Sequence, residues 1–146
     1  TPFTPAVTLV LGLNESLRMI REEGIENTIA RHSRLAEATR CGIEALGLKL
    51  FAPAEGRGSA VTPAWVPEGI DGKKVVSILK NKYGVTIAGG QDDYVGRIIR
   101  IGHLGYFGPF DIITTLAALE MTLAELGYEF TRGAGVIAAE SVFMEG

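Results

Sequence analysis

The sequence predicts an α+β fold, in which a small, mostly antiparallel sheet carries its helices on one face. Three observations lead to this prediction. Apolar residues recur with helical period over the first third of the chain, and the period changes to that of strands after residue 48. Helices and strands then follow one another in the order α-α-β-β-α-β-β-α, without sequence repeats. This order favours helices packed against one small sheet.

Two helices are predicted at the start of the chain. The first follows Pro5, a residue suited to the first helical turn, and ends at Gly24, a natural C-cap. The second ends at Gly47. Apolar residues at helical spacing predict that both helices contribute to the core. In the first helix these are Leu9, Leu13, Leu17 and Ile20, and in the second they are Ile25, Ile29, Leu35, Ile43 and Leu46.

The rest of the chain is predicted to hold four short strands and two further helices. The strands are predicted over residues 48–52, 58–67, 85–90 and 97–102. Pro63 marks the second strand as an edge or bulged strand, because proline cannot donate to a ladder. Asp71 and Gly84 are the expected cap and stop of the third helix.

The last long helix is predicted to begin near Pro109 or Asp111 and to end at Gly127. The tail after it is expected to add a short helix.

Composition limits the classes of function. The chain has 146 residues, 47% of them hydrophobic and 21% charged, as expected for one globular domain. Its net charge of −3 gives no basic surface for nucleic acid, and no apolar run approaches the roughly 20 residues of a membrane span. Cys41 is the single cysteine, so no intrachain disulfide forms, and a cytoplasmic location is predicted. The opening TPFTPAVTLV predicts a fragment of a longer chain; simple removal of an initiator methionine is the alternative.

Arg100 stands out within the predicted strand 97–102. Alternation places Ile99 and Ile101 on the core face, and Ile98, Arg100 and Gly102 on the opposite face. A guanidinium beside a low, glycine-lined surface suits a small carboxylate held by two parallel hydrogen bonds. The alternative is a structural ion pair between Arg100 and a carboxylate elsewhere in the fold.

Other candidate features are weaker. The glycine pair in IAGGQDD, residues 87–93, allows a ligand to approach closely or simply makes a turn. GYFG, residues 105–108, is an aromatic wall or an ordinary loop. His32 is predicted to be a surface residue, whereas His103 could have a polar role near Arg100. The histidines and the cysteine do not have metal-ligand spacing, and no phosphate-binding or dinucleotide-binding fingerprint is present.

Several segments together resemble class V, fold-type I aminotransferases, which use pyridoxal 5'-phosphate. The likeness begins in residues 4–34 and continues through residues 78–90, which end in TIAGG. It is clearest in RIIRIGHLG, residues 97–105, which is similar to the LRIG-LG segment of the alanine–glyoxylate and serine–pyruvate aminotransferase branch. It extends over most of the chain to about residue 130, in the family's order.

The resemblance implies a fold and roles for two residues. Residues 1–146 would form the small C-terminal domain of such an enzyme, with the large domain that carries the cofactor lysine absent. Arg100 would bind the α-carboxylate of the substrate. Thr4 would contact the cofactor phosphate across a homodimer interface. The family often has a tyrosine where Thr1 stands, so a second phosphate contact would need the Thr1 hydroxyl.

The resemblance also implies an activity for the whole enzyme. It would transfer an amino group between alanine, serine or aspartate and glyoxylate or pyruvate. The sequence around each of the five lysines differs from the sequence around the family's Schiff-base lysine, so the chain alone is predicted to be inactive. These lysines are Lys49, Lys73, Lys74, Lys80 and Lys82. The alternative is a non-catalytic binding or assembly module with the same fold.

Overall fold

The computed structural model describes residues 3–145. Their helices are α1 (Val7–Glu23), α2 (Ile25–Ala45), α3 (Gly72–Tyr83), α4 (Pro109–Glu125) and α5 (Ala134–Met144). Their strands are β1 (Val61–Trp65), β2 (Ala88–Gly89) and β3 (Ile98–Gly102). The chain divides into two compact units, and the boundary falls between Arg31 and His32, within α2. No helix in residues 3–145 combines the length and the apolarity that a bilayer crossing requires.

The first unit contains α1 and the beginning of α2. Gly24 separates the two helices, as predicted, and its φ of 88° is a conformation that favours glycine. The prediction that α1 contributes to the core is wrong within residues 3–145, because α1 has no buried residue and Leu9 is 73% exposed. Ile25 and Ile29 at the start of α2 are exposed as well. The apolar spacing predicted the helix correctly, but its own unit provides nothing that covers these side chains.

The second unit is built on a three-stranded antiparallel sheet, with β3 between β1 and β2. The predicted α+β class is therefore confirmed. Ala64, Ile99 and Ile101 from the sheet join one hydrophobic core with residues of the helices. The helical residues in this core include Leu35, Ile43, Leu46, Val75, Leu79, Ile112, Leu116, Leu119, Leu123 and Ala139.

The predicted strand over residues 48–52 is reduced to a single antiparallel bridge between Leu50 and Ala64. Phe51 donates its backbone N–H to the Pro63 carbonyl at 3.0 Å, so the backbone of residue 63 faces this segment. Because proline has no N–H, the return hydrogen bond to Phe51 cannot form. Pro63 therefore limits the pairing, and β1 is the edge strand that the sequence predicted.

The predicted strand over residues 85–90 is also shorter, since β2 contains only Ala88 and Gly89. After it, the Gly90 N–H donates to the Ile98 carbonyl at 3.0 Å, and the chain enters a 3-10 turn at Asp92–Tyr94. A Cβ on Gly90 would lie 1.9 Å from the Tyr94 carbonyl oxygen. The turn therefore closes tightly enough to require glycine at this position.

Local capping signals define the ends of α3 and α4. Asp71 accepts a 2.9 Å hydrogen bond from the backbone N–H of Lys73, and Gly84 ends α3 in the left-handed conformation, both as predicted. Pro109 is the first residue of α4, and Asp111 accepts from the Gly108 N–H at 2.7 Å. The helix expected in the tail is present as α5.

Candidate functional site

Arg100 lies in the middle of the central strand. Its Cα partners are Pro63 on β1 and Ala88 on β2. Both Ile99 and Ile101 are buried in the core, so strand alternation directs Arg100 toward the face of the sheet away from the helices. The predicted orientation of this strand is confirmed.

One nitrogen of the Arg100 guanidinium is held by the protein itself. Nε donates to the carbonyl oxygen of Gly89 at 2.8 Å, which ties the side chain to the neighbouring strand β2. Every buried side-chain nitrogen and oxygen in the described part of the chain has a hydrogen-bond partner. Since neither Nη atom of Arg100 has a protein partner among residues 3–145, both are accessible to solvent or a ligand.

No acidic residue within residues 3–145 forms an ion pair with Arg100. The alternative prediction, an internal salt bridge, is therefore wrong for the described chain. Gly102, two residues further along the same face, has no atom within 4 Å of the position that a Cβ would occupy. Arg100 thus stands beside open space, with two fixed nitrogens that can donate to an anion.

The face of the sheet that carries Arg100 is covered at the beginning of β3, two residues before Arg100. Ile98 is buried despite its outward register, and its strand partner is Trp65. Trp65, Phe51 and Tyr94 form a cluster of rings with centroid separations of 5.0 to 6.0 Å. The Arg97 guanidinium lies 5.6 Å from the Trp65 ring centroid. No local pattern predicts this cluster, because its rings come from three separate segments of the chain.

His103 follows β3 and is fully buried. Nδ1 lies 3.1 Å from the Ser59 carbonyl oxygen, and Nε2 lies 2.9 Å from the Thr62 hydroxyl. A carbonyl only accepts, so Nδ1 carries the ring proton and the Thr62 hydroxyl donates to Nε2. Burial lowers the pKa of His103. The polar role predicted for His103 is therefore internal: the ring joins the end of β3 to residues 59–62.

The remaining predicted residues are placed as follows. Thr4 belongs to the first unit, where it precedes α1 and is exposed. Thr1 lies outside the described residues. His32 is half-buried rather than a simple surface residue, and its Nε2 accepts a hydrogen bond from the Gly105 N–H at 2.9 Å. No local sequence pattern predicts this contact, because the two residues are 73 positions apart.

Three relatives match nearly the whole chain. An uncharacterized aminotransferase of Methanocaldococcus jannaschii is 48% identical over 145 residues, which are 99% of this chain and 37% of the relative. The small subunit of a soluble hydrogenase from Synechococcus is 46% identical over 97% of this chain and 37% of that relative. A serine–glyoxylate aminotransferase of Arabidopsis thaliana is 40% identical over 96% of this chain and 35% of the relative.

Solved structures of aminotransferases also match nearly the whole chain. Pyridoxamine–pyruvate aminotransferase from Mesorhizobium loti matches 99% of this chain and 38% of its own, with a TM-score of 0.93 and 33% identity. Ureidoglycine–glyoxylate aminotransferase from Bacillus subtilis matches 97% of this chain and 37% of its own, with a TM-score of 0.92 and 34% identity.

Over nearly its whole length, the chain is therefore homologous to one part of these aminotransferases. It spans only about 37% of the length of its curated aminotransferase relative from Methanocaldococcus jannaschii. No protein-family model matches the sequence. Among the described residues, Arg100 combines a guanidinium held through Nε with open space beside it at Gly102.

Proposed function

We propose that this chain is the small C-terminal domain of a class V transaminase that uses pyridoxal 5'-phosphate, and that Arg100 binds the substrate carboxylate. The observation that carries this proposal is the state of the guanidinium. Its Nε is held by Gly89 at 2.8 Å, and its two Nη atoms have no protein partner within residues 3–145.

This arrangement defines how a carboxylate would bind. Because Nε already donates to Gly89, the two carboxylate oxygens would meet Nη1 and Nη2 at the end of the guanidinium. Two parallel charge-assisted hydrogen bonds fix the orientation of a planar anion as well as its position. The open space above Gly102 leaves room for the rest of a small amino acid.

The proposed substrates are a small amino acid and a 2-oxo acid. Relatives carry the names serine–glyoxylate and L-aspartate–glyoxylate aminotransferase, and another is named pyridoxamine–pyruvate transaminase. These names support serine or aspartate as the amino donor, and glyoxylate or pyruvate as the acceptor. A similar solved structure titled alanine–glyoxylate aminotransferase supports alanine as a third donor. The proposed enzyme is a cytoplasmic homodimer.

The described residues fit one part of a cofactor site. The exposed Thr4 hydroxyl has no hydrogen-bond partner among residues 3–145, so it can donate to a phosphate. In the proposed homodimer it would serve the site of the other subunit. When bound, the cofactor supplies the electron sink for chemistry at the α-carbon of the amino acid.

The Schiff-base lysine is assigned to the remainder of the full-length protein. All five lysines of this chain are exposed, and Lys82 is paired with Glu125. None is a lysine held beside a binding site, so the proposal predicts that this chain alone does not transaminate.

Arg100→Lys in the full-length protein tests the carboxylate assignment. A lysine cannot reproduce the two parallel hydrogen bonds, so KM for L-serine and L-alanine should rise roughly a hundredfold. Arg97→Lys is the matched control, because Arg97 is an exposed arginine in the same segment that lies over Trp65. Donor binding that is unaffected by Arg100→Lys would contradict the assignment.

A second candidate function is a non-catalytic assembly module. It is favoured by one observation, the naming of two similar proteins as soluble hydrogenase subunits. Pyridoxal 5'-phosphate added to the full-length protein distinguishes the two. A visible absorption band that disappears on borohydride reduction, with the label on a lysine, supports the transaminase, and its absence supports the module.

A further inference from the structure

The segment that leaves β3 is fixed at three points. This segment, residues 103–108, connects the strand of Arg100 to α4. Its first residue, His103, is buried and bonded through both ring nitrogens. In its middle, the Gly105 N–H donates to His32, and at its end the Gly108 N–H donates to Asp111 at 2.7 Å. The path of the chain beyond Arg100 is therefore set by side chains from outside the segment.

Packing holds the middle of the segment only weakly. Leu104 is 54% exposed and Tyr106 is 87% exposed, so the residues on either side of Gly105 have much of their surface in solvent. Gly105 itself has a φ of 89°, a conformation that glycine adopts without strain. Where little apolar surface is buried, a backbone hydrogen bond contributes a large part of the local order.

His32 is well suited to hold this backbone. It lies on α2, immediately before residues that are buried in the core of the second unit, Leu35, Ala36, Ala38 and Thr39. Because a backbone N–H only donates, Nε2 of His32 accepts and its ring proton is on Nδ1. Because α2 is anchored in the core at the residues that follow His32, the position of the imidazole acceptor is fixed relative to the core.

Segment 103–108 contributes to a cavity at the end of β3, the strand that carries Arg100. Phe107 lines a cavity of about 260 Å³ together with Gly102 and Asp111. Gly102 is also the residue that leaves open space on the Arg100 face. A shift of the segment would therefore change the surroundings of the place where the proposed carboxylate ligand binds.

We infer that His32 is a positioning residue of the transaminase: it fixes segment 103–108 through Gly105 and so keeps the substrate site beside Arg100 in its binding shape. This inference rests on the proposed function of Arg100. It requires that His32 acts on donor binding rather than on the chemical steps, since it contacts the segment and not Arg100.

Three variants of the full-length protein test the inference. His32→Leu removes the acceptor, and His32→Gln keeps an acceptor oxygen on a side chain of similar length. Glu44→Gln is the matched control on the same helix, since Glu44 is exposed and makes no ion pair among the described residues. Hydrogen exchange of residues 103–108, melting temperature, and KM and kcat for L-serine and L-alanine with glyoxylate are measured for each.

His32→Leu should accelerate exchange in residues 103–108 and raise KM about tenfold, with kcat changed less than twofold. His32→Gln should restore most of both values, and Glu44→Gln should leave both unchanged. The inference is overturned if His32→Leu leaves the exchange of 103–108 unaltered, or if exchange rises while KM stays at the wild-type value.

Failure of the proposed function has a different signature. If the wild-type full-length protein shows no cofactor absorption band and does not transaminate, the role of Arg100 as a substrate residue fails. Faster exchange confined to 103–108 in His32→Leu would then still support fixation of the segment by His32, and unchanged exchange would overturn it.

Discussion

Gly133 donates its backbone N–H to Oε2 of Glu120 at 2.6 Å. The other carboxylate oxygen, Oε1, accepts from the N–H groups of Gly135 and Val136 at 3.0 and 3.3 Å. A buried carboxylate on α4 therefore satisfies the first N–H groups of α5, which would otherwise lack partners. This contact fastens the last helix to the rest of the second unit.

Glu120→Ala should lower the free energy of unfolding by about 3 kcal/mol, because it leaves buried helix N–H groups without an acceptor. Urea denaturation measures the loss, and hydrogen exchange should show it first in residues 134–144. Glu129→Ala is the control, since Glu129 is exposed and makes no ion pair among the described residues. Equal stability of the two variants would show that the carboxylate does not hold α5.

His103 should make stability depend on pH. Burial lowers the pKa of His103 in the folded protein. Below the ordinary histidine pKa of about 6.5, the unfolded chain therefore binds a proton at this residue, whereas the folded chain keeps the ring neutral. Its contribution to stability is therefore complete above pH 6.5 and decreases as the pH falls toward the folded-state pKa.

Melting temperatures of the wild type and His103→Gln between pH 5 and 8 measure this effect. The destabilisation caused by the substitution should be greatest at pH 7 to 8 and should decrease toward pH 5. A difference that is constant over this range would contradict the assignment of a buried, neutral imidazole.

At two glycines near Arg100, an added side chain should affect the stability of the protein to different degrees. Gly90→Ala places a Cβ 1.9 Å from the Tyr94 carbonyl and should destabilise the protein by about 2 kcal/mol or more. Gly102→Val meets no atom within 4 Å of its Cβ, so stability should stay within about 1 kcal/mol of the wild type.

If the Gly102 surface receives the substrate, Gly102→Val should nevertheless raise KM for L-serine about tenfold. Titration of the full-length enzyme with amino acid, together with thermal denaturation, separates the two effects. Donor binding that is unaffected by the valine would place the substrate away from Gly102.

The exposed stripe on α1, formed by Leu9, Leu13 and Leu17, should cause the isolated 146-residue chain to self-associate. Leu9→Lys combined with Leu13→Lys should shift the chain toward the monomer in sedimentation velocity experiments. Asn14→Lys adds a charge to the same helix outside the stripe and should leave association unchanged. A wild-type chain that stays monomeric at high micromolar concentration would contradict the prediction.

Local signals predicted the elements that depend on local interactions. The cap at Asp71, the stop at Gly84 and the proline at the start of α4 follow from groups a few residues apart. Strand alternation likewise predicted the face to which Arg100 points. Resemblance to a known family then led to a role that alternation alone did not distinguish from an ion pair.

The features that were missed depend on distant partners. The strand over 48–52 fails where it meets Pro63, and the aromatic cluster joins Phe51, Trp65 and Tyr94 from three segments. Hydrophobic spacing predicts that a helix has an apolar face, but it does not identify what covers that face. For this reason the spacing in α1 predicted burial that residues 3–145 do not provide.

The missing N–H donor at Pro63 affects how readily the sheet edge can pair with another polypeptide chain. On one rim of the sheet the proline breaks the row of amide groups, and on the other rim β2 is only two residues long. Neither rim offers a long template to a stray extended polypeptide, so the sheet resists the edge-to-edge growth that seeds fibrils.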